Sequence, residues 1–366
     1  MTTNRRSFLQ TVSGLAASAA TDAAAVQTGS GRLIRLGIDT YSIRNFRWKA
    51  TQLVDYAAGL KLDTIQASLA AFESLDDQYL RKVKDYASGL GILVEPGFGC
   101  ICPLSKGWNP KQGDPTRYLL QAVRAAKGLG SPSVKCFMGN AQDRRAAAPI
   151  PALMEATIKA LRSVRSQALD AGVMIALENH GDLQAREART VIEEAGKDFV
   201  GCCLDSGNPV MLMEDPLWTL EVLGPYVVTS HIRDSAVYEH PRGAAVQWVA
   251  LGDGSIDFGH FMSRFRKLCP KALLHLEVIT GQPPQVLPYL EADFWKAFPD
   301  TRASEFSRFV ALAKRGQPFM GSMMIARPGG QPPEYEAALK EQQRVDLERS
   351  VEYAKRTLDA GVRWRA

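Results

Sequence analysis

Short apolar runs alternate with longer segments of helical period along most of the chain, beginning at Leu33. Such alternation is typical of repeated βα units and predicts a parallel sheet. Eight runs predict strands, at Leu33–Ile38, Thr64–Ala67, Ile92–Glu95, Ser133–Met138, Val173–Leu177, Val200–Leu204, Val227–His231 and Leu273–Val278. Eight units in series predict a closed (β/α)8 TIM barrel. The alternative, an open doubly wound sheet, usually has about six strands and a glycine-rich first turn.

The segments between the predicted strands have the spacing of helices with one apolar face. After the fourth run, apolar residues recur every three or four positions, at Met154, Ile158, Leu161, Val164 and Ala168. Before the fourth run, Asp114 and Pro115 predict an N-cap followed by proline at the first helical position. Gly130 directly follows that segment, Thr116–Leu129, as expected at the end of a helix.

The pattern changes after Leu290. Phe294–Ala313 predicts a helix, Gly316–Pro333 is rich in glycine and proline and predicts a loop, and Glu334–Leu358 predicts a long amphipathic helix. We therefore predict a barrel over residues 31–291 and a C-terminal helical extension over 292–366. The extension would pack either on the barrel or on a second subunit, and in the latter case the protein would be a homo-oligomer.

Residues 1–30 predict an export signal and linker rather than part of the fold. Arg5 and Arg6 precede a mildly apolar, alanine-rich run, and small residues at Ala23 to Ala25 offer a cleavage site. This order resembles a twin-arginine signal and predicts a periplasmic or otherwise exported protein. No stretch reaches the roughly 18 consecutive apolar residues of a membrane span, so we expect a soluble mature protein.

Charge and cysteine content narrow the functional classes. The chain has 44 Lys and Arg against 39 Asp and Glu, and no run of like charge forms a patch suited to nucleic acid or a membrane surface. The six cysteines include no CxxC motif. They predict buried thiols, with a bridge from Cys100 or Cys102 to Cys136 as the alternative.

The fifth to eighth predicted strands each end in a side chain that can bind a metal ion: Glu178, Asp205, His231 and Glu277. Active sites of such barrels lie at the C-terminal ends of the strands, so these side chains should converge. An ionised carboxylate at the end of an apolar strand is costly unless it is paired or bound to a cation. Three carboxylates and one imidazole suit Mn²⁺, Mg²⁺, Co²⁺ or Fe²⁺ better than a structural zinc. The alternative is that these acids pair with Arg or Lys across the barrel mouth.

Several motifs here resemble those of the sugar isomerase/epimerase-like barrels related to xylose isomerase and endonuclease IV. They are Leu177-Glu178-Asn179, Leu204-Asp205-Ser206-Gly207-Asn208, His231-Ile232-Arg233-Asp234, Gly252-Asp253-Gly254-Ser255-Ile256-Asp257-Phe258 and Leu276-Glu277. The resemblance covers Leu33 to Glu291. It implies that Glu178, Asp205, His231 and Glu277 bind one divalent ion, often manganese, with Zn²⁺ among the alternatives. It also implies that the catalytic residues are Glu178 and Glu277, which would exchange protons with opposite sides of a sugar carbon.

One position departs from that family. Its epimerases commonly carry a histidine three residues after the aspartate of strand six, where this chain has Asn208, which cannot titrate near neutrality. Arg233 could hold a substrate carboxylate, hydroxyl or phosphate, or pair with Asp205 or Asp234. The complete set of predicted substrate-binding residues is Asn208, Arg233, His180, Glu95, Lys135 and Trp108. Tyr41 and Trp248, like Trp108, are predicted in loops where aromatic rings could stack on a sugar.

Together these features predict an exported, divalent-metal-dependent sugar isomerase or epimerase. It would abstract a proton next to a carbonyl through a metal-stabilised enediolate, with a small sugar or keto-sugar as substrate. The alternatives are a lyase or decarboxylase acting on a 3-keto glycoside or an oxo sugar acid, and a noncatalytic sugar-binding barrel. A nuclease of the endonuclease IV type is disfavoured, because it needs histidines on early strands and the first histidine here is His180.

Overall fold

A computed structural model describes residues 33–327 and 330–366 of the chain. In chain order its strands are β1 (Leu36–Asp39), β2 (Thr64–Ser68), β3 (Leu93–Cys100), β4 (Ser133–Phe137), β5 (Met174–Glu178), β6 (Val200–Asp205), β7 (Val227–Ile232), β8 (Asp234–His240), β9 (Gly243–Val249), β10 (Leu274–Leu276) and β11 (Gln285–Leu287). Strands β1 to β7 and β10 form a closed parallel barrel, because β10 pairs with both β7 and β1. The predicted (β/α)8 barrel is confirmed, and each predicted strand corresponds to one barrel strand.

The described residues form ten α-helices: α1 (Ala50–Gly59), α2 (Asp77–Gly89), α3 (Pro115–Leu129), α4 (Ile150–Arg162), α5 (Arg165–Ala171), α6 (Ala185–Ala195), α7 (Pro216–Leu223), α8 (Phe258–Leu268), α9 (Ala303–Arg315) and α10 (Pro333–Arg356). The start of α3 is as predicted, since Asp114 accepts a hydrogen bond from the Arg117 amide and Pro115 is the first helical residue. Gly130 follows α3 in the left-handed conformation, which glycine adopts without strain.

Two predicted helices are interrupted in the structure. The apolar series from Met154 to Ala168 is divided between α4 and α5, because Val164 leaves the helical conformation. The predicted helix Phe294–Ala313 is wrong as a single element. A short 3₁₀ helix covers Ala292–Ala297, and α9 begins only at Ala303, after Pro299. Proline cannot supply the backbone donor that a continuous helix would need there.

A second sheet, which the sequence did not predict, lies beside the barrel mouth. Strands β8, β9 and β11 pair antiparallel in the order β11-β9-β8, and α9 packs against β8. We call these four elements the cap. Its apolar core is separate from the barrel core and includes Val237, Val246, Leu287, Phe309 and Leu312. Trp248 therefore lies on a strand of the cap rather than in a loop.

The C-terminal helix α10 packs on the barrel of its own chain. Its apolar residues Leu347, Val351 and Ala354 belong to the main barrel core. Polar contacts run along its length, from Gln343 beside Asn45 to Lys355, whose ammonium donates to the Leu60 carbonyl. The helix therefore covers the seam where β10 meets β1, the place that the helix after the last strand fills in this fold.

The cysteines, the export signal and the domain division were also predicted from the sequence. All six cysteines are buried free thiols, so neither of the alternative bridges forms. None of the described helices combines the length and the apolar character needed to cross a membrane. The predicted export signal over residues 1–30 lies outside the described residues. The division between residues 291 and 292 stays a prediction.

Candidate metal and substrate site

Four predicted ligands meet at the C-terminal ends of four neighbouring barrel strands. Glu178 ends β5, Asp205 ends β6, His231 is the penultimate residue of β7, and Glu277 directly follows β10. All four side chains are buried, and one donor atom from each lies within 4.8 Å of the others. The sequence prediction that these residues converge is confirmed.

Backbone pairing and local hydrogen bonds place the acids. Asp205 and His231 are register partners across β6 and β7, so their side chains enter the barrel at the same level. The Asn179 side chain links β5 to β6 by accepting from the Asp205 amide at 2.8 Å and donating to its carbonyl at 3.0 Å. The Asp205 carboxylate accepts from the amides of Gly207 and Asn208, which turns it toward the site.

Two cations contact three of these acids. Lys135 Nζ lies 2.7 Å from Glu178 Oε2. Arg233 binds Asp205 through two nitrogens, at 2.7 and 3.1 Å, and its Nη1 lies 3.2 Å from Glu277 Oε2. The pairing of acids with Arg and Lys, which the sequence left open, is therefore present beside the cluster. Arg233 pairs with Asp205 rather than Asp234, whose carboxylate accepts from the turn at Gly252 and Gly254.

Asp39 adds a carboxylate that the sequence analysis missed. Its Oδ2 lies 3.6 Å from His231 Nε2, and its Oδ1 accepts from the Tyr41 amide at 2.7 Å. Asp39 ends β1 as Glu178 ends β5, and the predicted first strand stopped one residue short of it. Asp39 could have been found in the same way as Glu178, because it is the polar residue that directly follows an apolar run.

The four carboxylates outnumber the two permanently charged cations. Burial raises the pKa of Asp39, although His231 and Lys135 oppose this effect. Burial also raises the pKa of Glu277 to about 7 against the lowering effect of Arg233 and His231. At Glu178 burial favours the neutral acid, but Lys135 and His231 outweigh it and hold the pKa well below its ordinary range. A divalent ion among these acids would favour their charged forms, which burial alone disfavours.

The unsatisfied oxygen atoms also fit a metal ion. Glu178 Oε2 and Glu277 Oε2 are buried, and among the described residues neither has a hydrogen bond of suitable geometry, although each contacts a cation. Buried polar atoms normally have partners, so these two oxygens are available to a ligand. Three carboxylates and one imidazole form a donor set for a hard or borderline divalent ion.

A cavity of about 660 Å³ opens above the cluster. Its polar lining includes Asp39, Lys135, His180, Asn208, Arg233, Glu277 and Gln282. Its apolar and aromatic lining includes Tyr41, Phe98, Tyr118, Phe137, Met211 and Trp248. The cap contributes Trp248, whose ring lies 4.3 Å from the Arg233 guanidinium carbon. A cavity with aromatic faces and hydrogen-bonding groups suits a polar molecule of sugar size.

Four of the six predicted substrate-binding residues line this cavity. Asn208 accepts from Arg233 at 2.7 Å, and its Nδ2 lies 3.5 Å from Glu178 Oε1. His180 stacks on Phe137 with ring centroids 4.1 Å apart, and its Nδ1 lies 2.9 Å from the Gly139 carbonyl. Lys135 and Arg233 reach the cavity while holding the acids.

Glu95 and Trp108 do not line the cavity. Glu95 is fully buried inside the barrel, where its carboxylate accepts from Gln66, Thr229 and Ser133. It ends no strand, because β3 continues to Cys100. Trp108 packs edge-on against Tyr118 at the outer side of the barrel core. The structure thus separates these two residues from the other predicted contacts.

The sequence analysis also missed Gln66, which lies on β2. It is fully buried, and its Oε1 lies 2.6 Å from His231 Nε2. A long polar side chain between the apolar residues Ile65 and Ala67 was the available signal.

The family model of the xylose isomerase-like TIM barrel matches residues 54–298. The chain belongs to this family. Xylose isomerase-like TIM barrels form an enzyme superfamily that includes sugar epimerases and isomerases.

Individual relatives of this xylose isomerase-like barrel differ in their activities. The 3-oxo-isoapionate decarboxylase of Pectobacterium atrosepticum is 25% identical over 236 residues, covering 61% of this chain and 78% of that protein. The structure of D-psicose 3-epimerase in the presence of D-fructose has a TM-score of 0.58 at 14% identity, covering 88% of this chain and 98% of the epimerase. A xylose isomerase-like TIM barrel protein from Mycobacterium smegmatis in complex with magnesium has a TM-score of 0.54 at 14% identity, covering 77% and 97%. At these identities the two structures establish a common fold.

Proposed function

We propose that this protein is a divalent-metal-dependent enzyme that moves a proton at a carbon next to the carbonyl of a sugar or keto-sugar. The observation that carries the proposal is the buried convergence of Glu178, Asp205, His231 and Glu277 beneath the cavity. Isomerisation or epimerisation is the reaction that we place first, because the epimerase noted above shares this fold.

Glu178, Asp205, His231 and Glu277 would hold the ion. Their oxygen-rich donor set favours Mn²⁺, with Co²⁺, Mg²⁺, Fe²⁺ and Zn²⁺ as alternatives. When bound, the ion supplies positive charge beside a substrate oxygen and so makes the neighbouring C–H more acidic.

The two glutamates have different surroundings, which suits an acid and a base in one site. Lys135 keeps Glu178 in its carboxylate form, the form that a base requires. Glu277 lines the cavity, and its Oε2, which lies 3.2 Å from Arg233 Nη1, has no hydrogen bond of suitable geometry in the described part of the chain, so this carboxyl would exchange a proton with substrate. Two carboxyl groups in unlike environments are a recurring arrangement for acid–base catalysis.

Arg233, Asn208 and His180 would orient the substrate. Arg233 donates a hydrogen bond to Asn208, and this bond fixes both side chains at the cavity wall before a ligand binds. His180 is held flat against Phe137. Groups fixed before binding lose little freedom when a sugar hydroxyl meets them.

A decarboxylase or lyase is the second candidate, and two observations favour it. The relative from Pectobacterium atrosepticum is a 3-oxo-isoapionate decarboxylase, and this chain matches 78% of its length. In addition, Lys135 and Arg233 bring two cations to the cavity, which suits a substrate that carries a carboxylate.

Metal content tests the first part of the proposal. We expect about one divalent ion per chain by elemental analysis of wild type, and loss of that ion in His231→Ala. His260→Ala is the matched control, since His260 is exposed and lies on α8. Wild type without metal, even after reloading, would leave a noncatalytic sugar-binding barrel as the better interpretation.

Solvent exchange then separates the reactions. A panel of ketoses and keto-sugars in deuterated buffer should give deuterium at the carbon beside the carbonyl together with an isomeric product. Glu277→Gln should slow this exchange by about 10²–10⁴-fold, because the amide cannot carry the proton. Release of CO₂ or of an aglycone would instead identify a decarboxylase or a lyase.

We also propose that residues 1–30 direct export as a twin-arginine signal, on the basis of Arg5, Arg6 and the apolar run that follows. The protein should reach the periplasm of a host with this pathway, and Arg5→Lys with Arg6→Lys should retain it in the cytoplasm. Equal export of both versions, measured by cell fractionation, would contradict this proposal.

A further inference from the structure

We infer that Gln66 and Glu95 form a positioning relay for His231, which sets the ring so that Nδ1 faces the three acids and Nε2 carries the proton. The inference rests on the metal site of the proposed function. Neither Gln66 nor Glu95 lines the cavity, so both would act through His231 rather than on substrate.

The two nitrogens of the His231 ring face different partners. Nδ1 lies 3.2 Å from Glu178 Oε1, 3.6 Å from Glu277 Oε2 and 3.9 Å from Asp205 Oδ2. Nε2 instead lies 2.6 Å from Gln66 Oε1. A histidine nitrogen must be free of its proton to bind a metal ion, so a ligand at Nδ1 requires the ring proton on Nε2. The amide oxygen of Gln66 is placed to accept that proton.

Glu95 fixes which end of the Gln66 amide faces the ring. Gln66 Nε2 donates to Glu95 Oε2 at 2.9 Å. Thr229 Oγ1 donates to the same carboxylate at 2.6 Å, and Ser133 also donates to it. With three donors directed at it, Glu95 acts as an acceptor, and a reversed amide would place two oxygens against each other.

Burial makes the relay selective. Gln66, Glu95 and His231 are all fully buried. In such a place a polar group without its partner costs far more than at the surface, and the tautomer with its proton on Nδ1 would leave Gln66 Oε1 facing a nitrogen that carries no hydrogen. The relay also accounts for Glu95, whose carboxylate lies in the barrel interior with no access to the cavity.

Removing the acceptor tests the relay. Gln66→Met keeps the length of the side chain but removes the amide oxygen, so Zn²⁺ affinity, measured by calorimetry on folded protein, should fall about 10–100-fold. Gln343→Met is the matched control, because Gln343 is also a fully buried glutamine, on α10, and pairs with Asn45. It should leave Zn²⁺ affinity unchanged. Equal affinity of Gln66→Met and wild type would overturn the relay.

An exchange of the two groups separates positioning from packing. Gln66→Glu alone places two carboxylates in contact and should weaken Zn²⁺ binding. Combining it with Glu95→Gln restores one carboxylate and one amide in reversed order, with an acceptor still facing His231, and should recover most of the affinity. A double variant that binds no better than Gln66→Glu would contradict the inference.

Nitrogen NMR of wild type provides a readout that needs no substitution at the relay. Protein labelled with ¹⁵N histidine and loaded with Zn²⁺ should show His231 protonated at Nε2 and bound at Nδ1, with the signal assigned by its loss in His231→Ala. Coordination through Nε2 would overturn the relay and leave the proposed metal site intact. Failure of wild type to bind any of Mn²⁺, Co²⁺, Mg²⁺, Fe²⁺ and Zn²⁺ would overturn both.

Discussion

Arg233 is the single residue on which most of the site's internal contacts depend. Its guanidinium is almost fully buried, binds Asp205 through two nitrogens and contacts Glu277 and Asn208. Removing one member of a buried ion pair leaves an uncompensated charge in a medium that solvates it poorly. Arg233 therefore contributes to the stability of the fold as well as to the cavity wall.

Arg233→Met should lower the free energy of unfolding by about 3–5 kcal/mol, because Asp205 loses its cation while staying buried. Chemical denaturation of metal-free protein would measure this. Arg264→Met is the control, since Arg264 pairs with Glu221 near the surface, and its stability should stay close to that of wild type. Equal losses in the two variants would argue against a special role for Arg233.

Glu214 predicts a pH dependence that arises away from the site. Burial, with Glu187 and Glu305 nearby, raises its pKa from 4.5 to about 8, although the Ala185 amide opposes the shift. Because the folded protein holds this proton more tightly, the contribution to stability is complete below about pH 4.5 and is lost as pH rises through about 8.

Glu214→Gln removes this titration. The free energy of unfolding of the variant, relative to wild type, should therefore rise by on the order of 3–5 kcal/mol between pH 5 and pH 9. Denaturant titrations at several pH values would measure the difference. Glu155→Gln, at an exposed position on α4, should show no such trend. A constant difference between Glu214→Gln and wild type would refute the assignment.

Individual residues also show how far sequence reasoning extends. The convergence of Glu178, Asp205, His231 and Glu277 was predictable, because the strands of a parallel barrel end at one rim. The contact between Gln66 and His231 was not predictable, since it joins β2 to β7 across the two strands that lie between them, β1 and β10. Glu95 was misplaced because β3 continues past it to Cys100, so its side chain lies buried inside the barrel rather than at the rim.

At the scale of elements, the closeness of neighbouring strands limits side-chain size. A Cβ added at Gly37 on β1 would lie 2.2 Å from the Thr64 carbonyl oxygen on β2, which is backbone and cannot move aside. Gly37→Ala should therefore destabilise the protein by roughly 1–3 kcal/mol or more in thermal or chemical unfolding. Gly89→Ala, at the end of α2 with open space around it, should leave stability unchanged or slightly higher. Similar losses in both would contradict this account.

Elements with strong local signals were the ones that the sequence predicted. The apolar runs marked all eight barrel strands, and Asp114 with Pro115 marked the start of α3. The hairpin β8–β9 was missed because it follows β7 after a single residue, Arg233, inside a segment expected to connect a strand to its helix. Its partner β11 is only three residues long and depends on β9 for its pairing.

At the scale of the whole molecule, metal binding should be linked to folding. The four proposed ligands are separated by up to 99 residues along the chain, so an unfolded chain cannot assemble them. Saturating Mn²⁺ at about 100 times its dissociation constant should add about 2.7 kcal/mol to the free energy of unfolding. Differential scanning calorimetry with Mn²⁺ and with a chelator would show this as a higher midpoint. His231→Ala should show no such gain, and a gain equal to that of wild type would exclude this site as its source.

The long separation along the chain between β1 and its later neighbours, β10 and α10, affects how the molecule is made. Strand β1 is among the first parts of the barrel to be synthesised, and its partner β10 and the covering helix α10 come last. At about 5–20 residues per second, translation from β1 to α10 takes on the order of tens of seconds, and β1 lacks both neighbours during that time. A growing chain therefore carries an open apolar edge through most of translation. Ribosomes that stop before α10 would release chains that proteases and chaperones recognise, so quality control of this protein depends on its last helix.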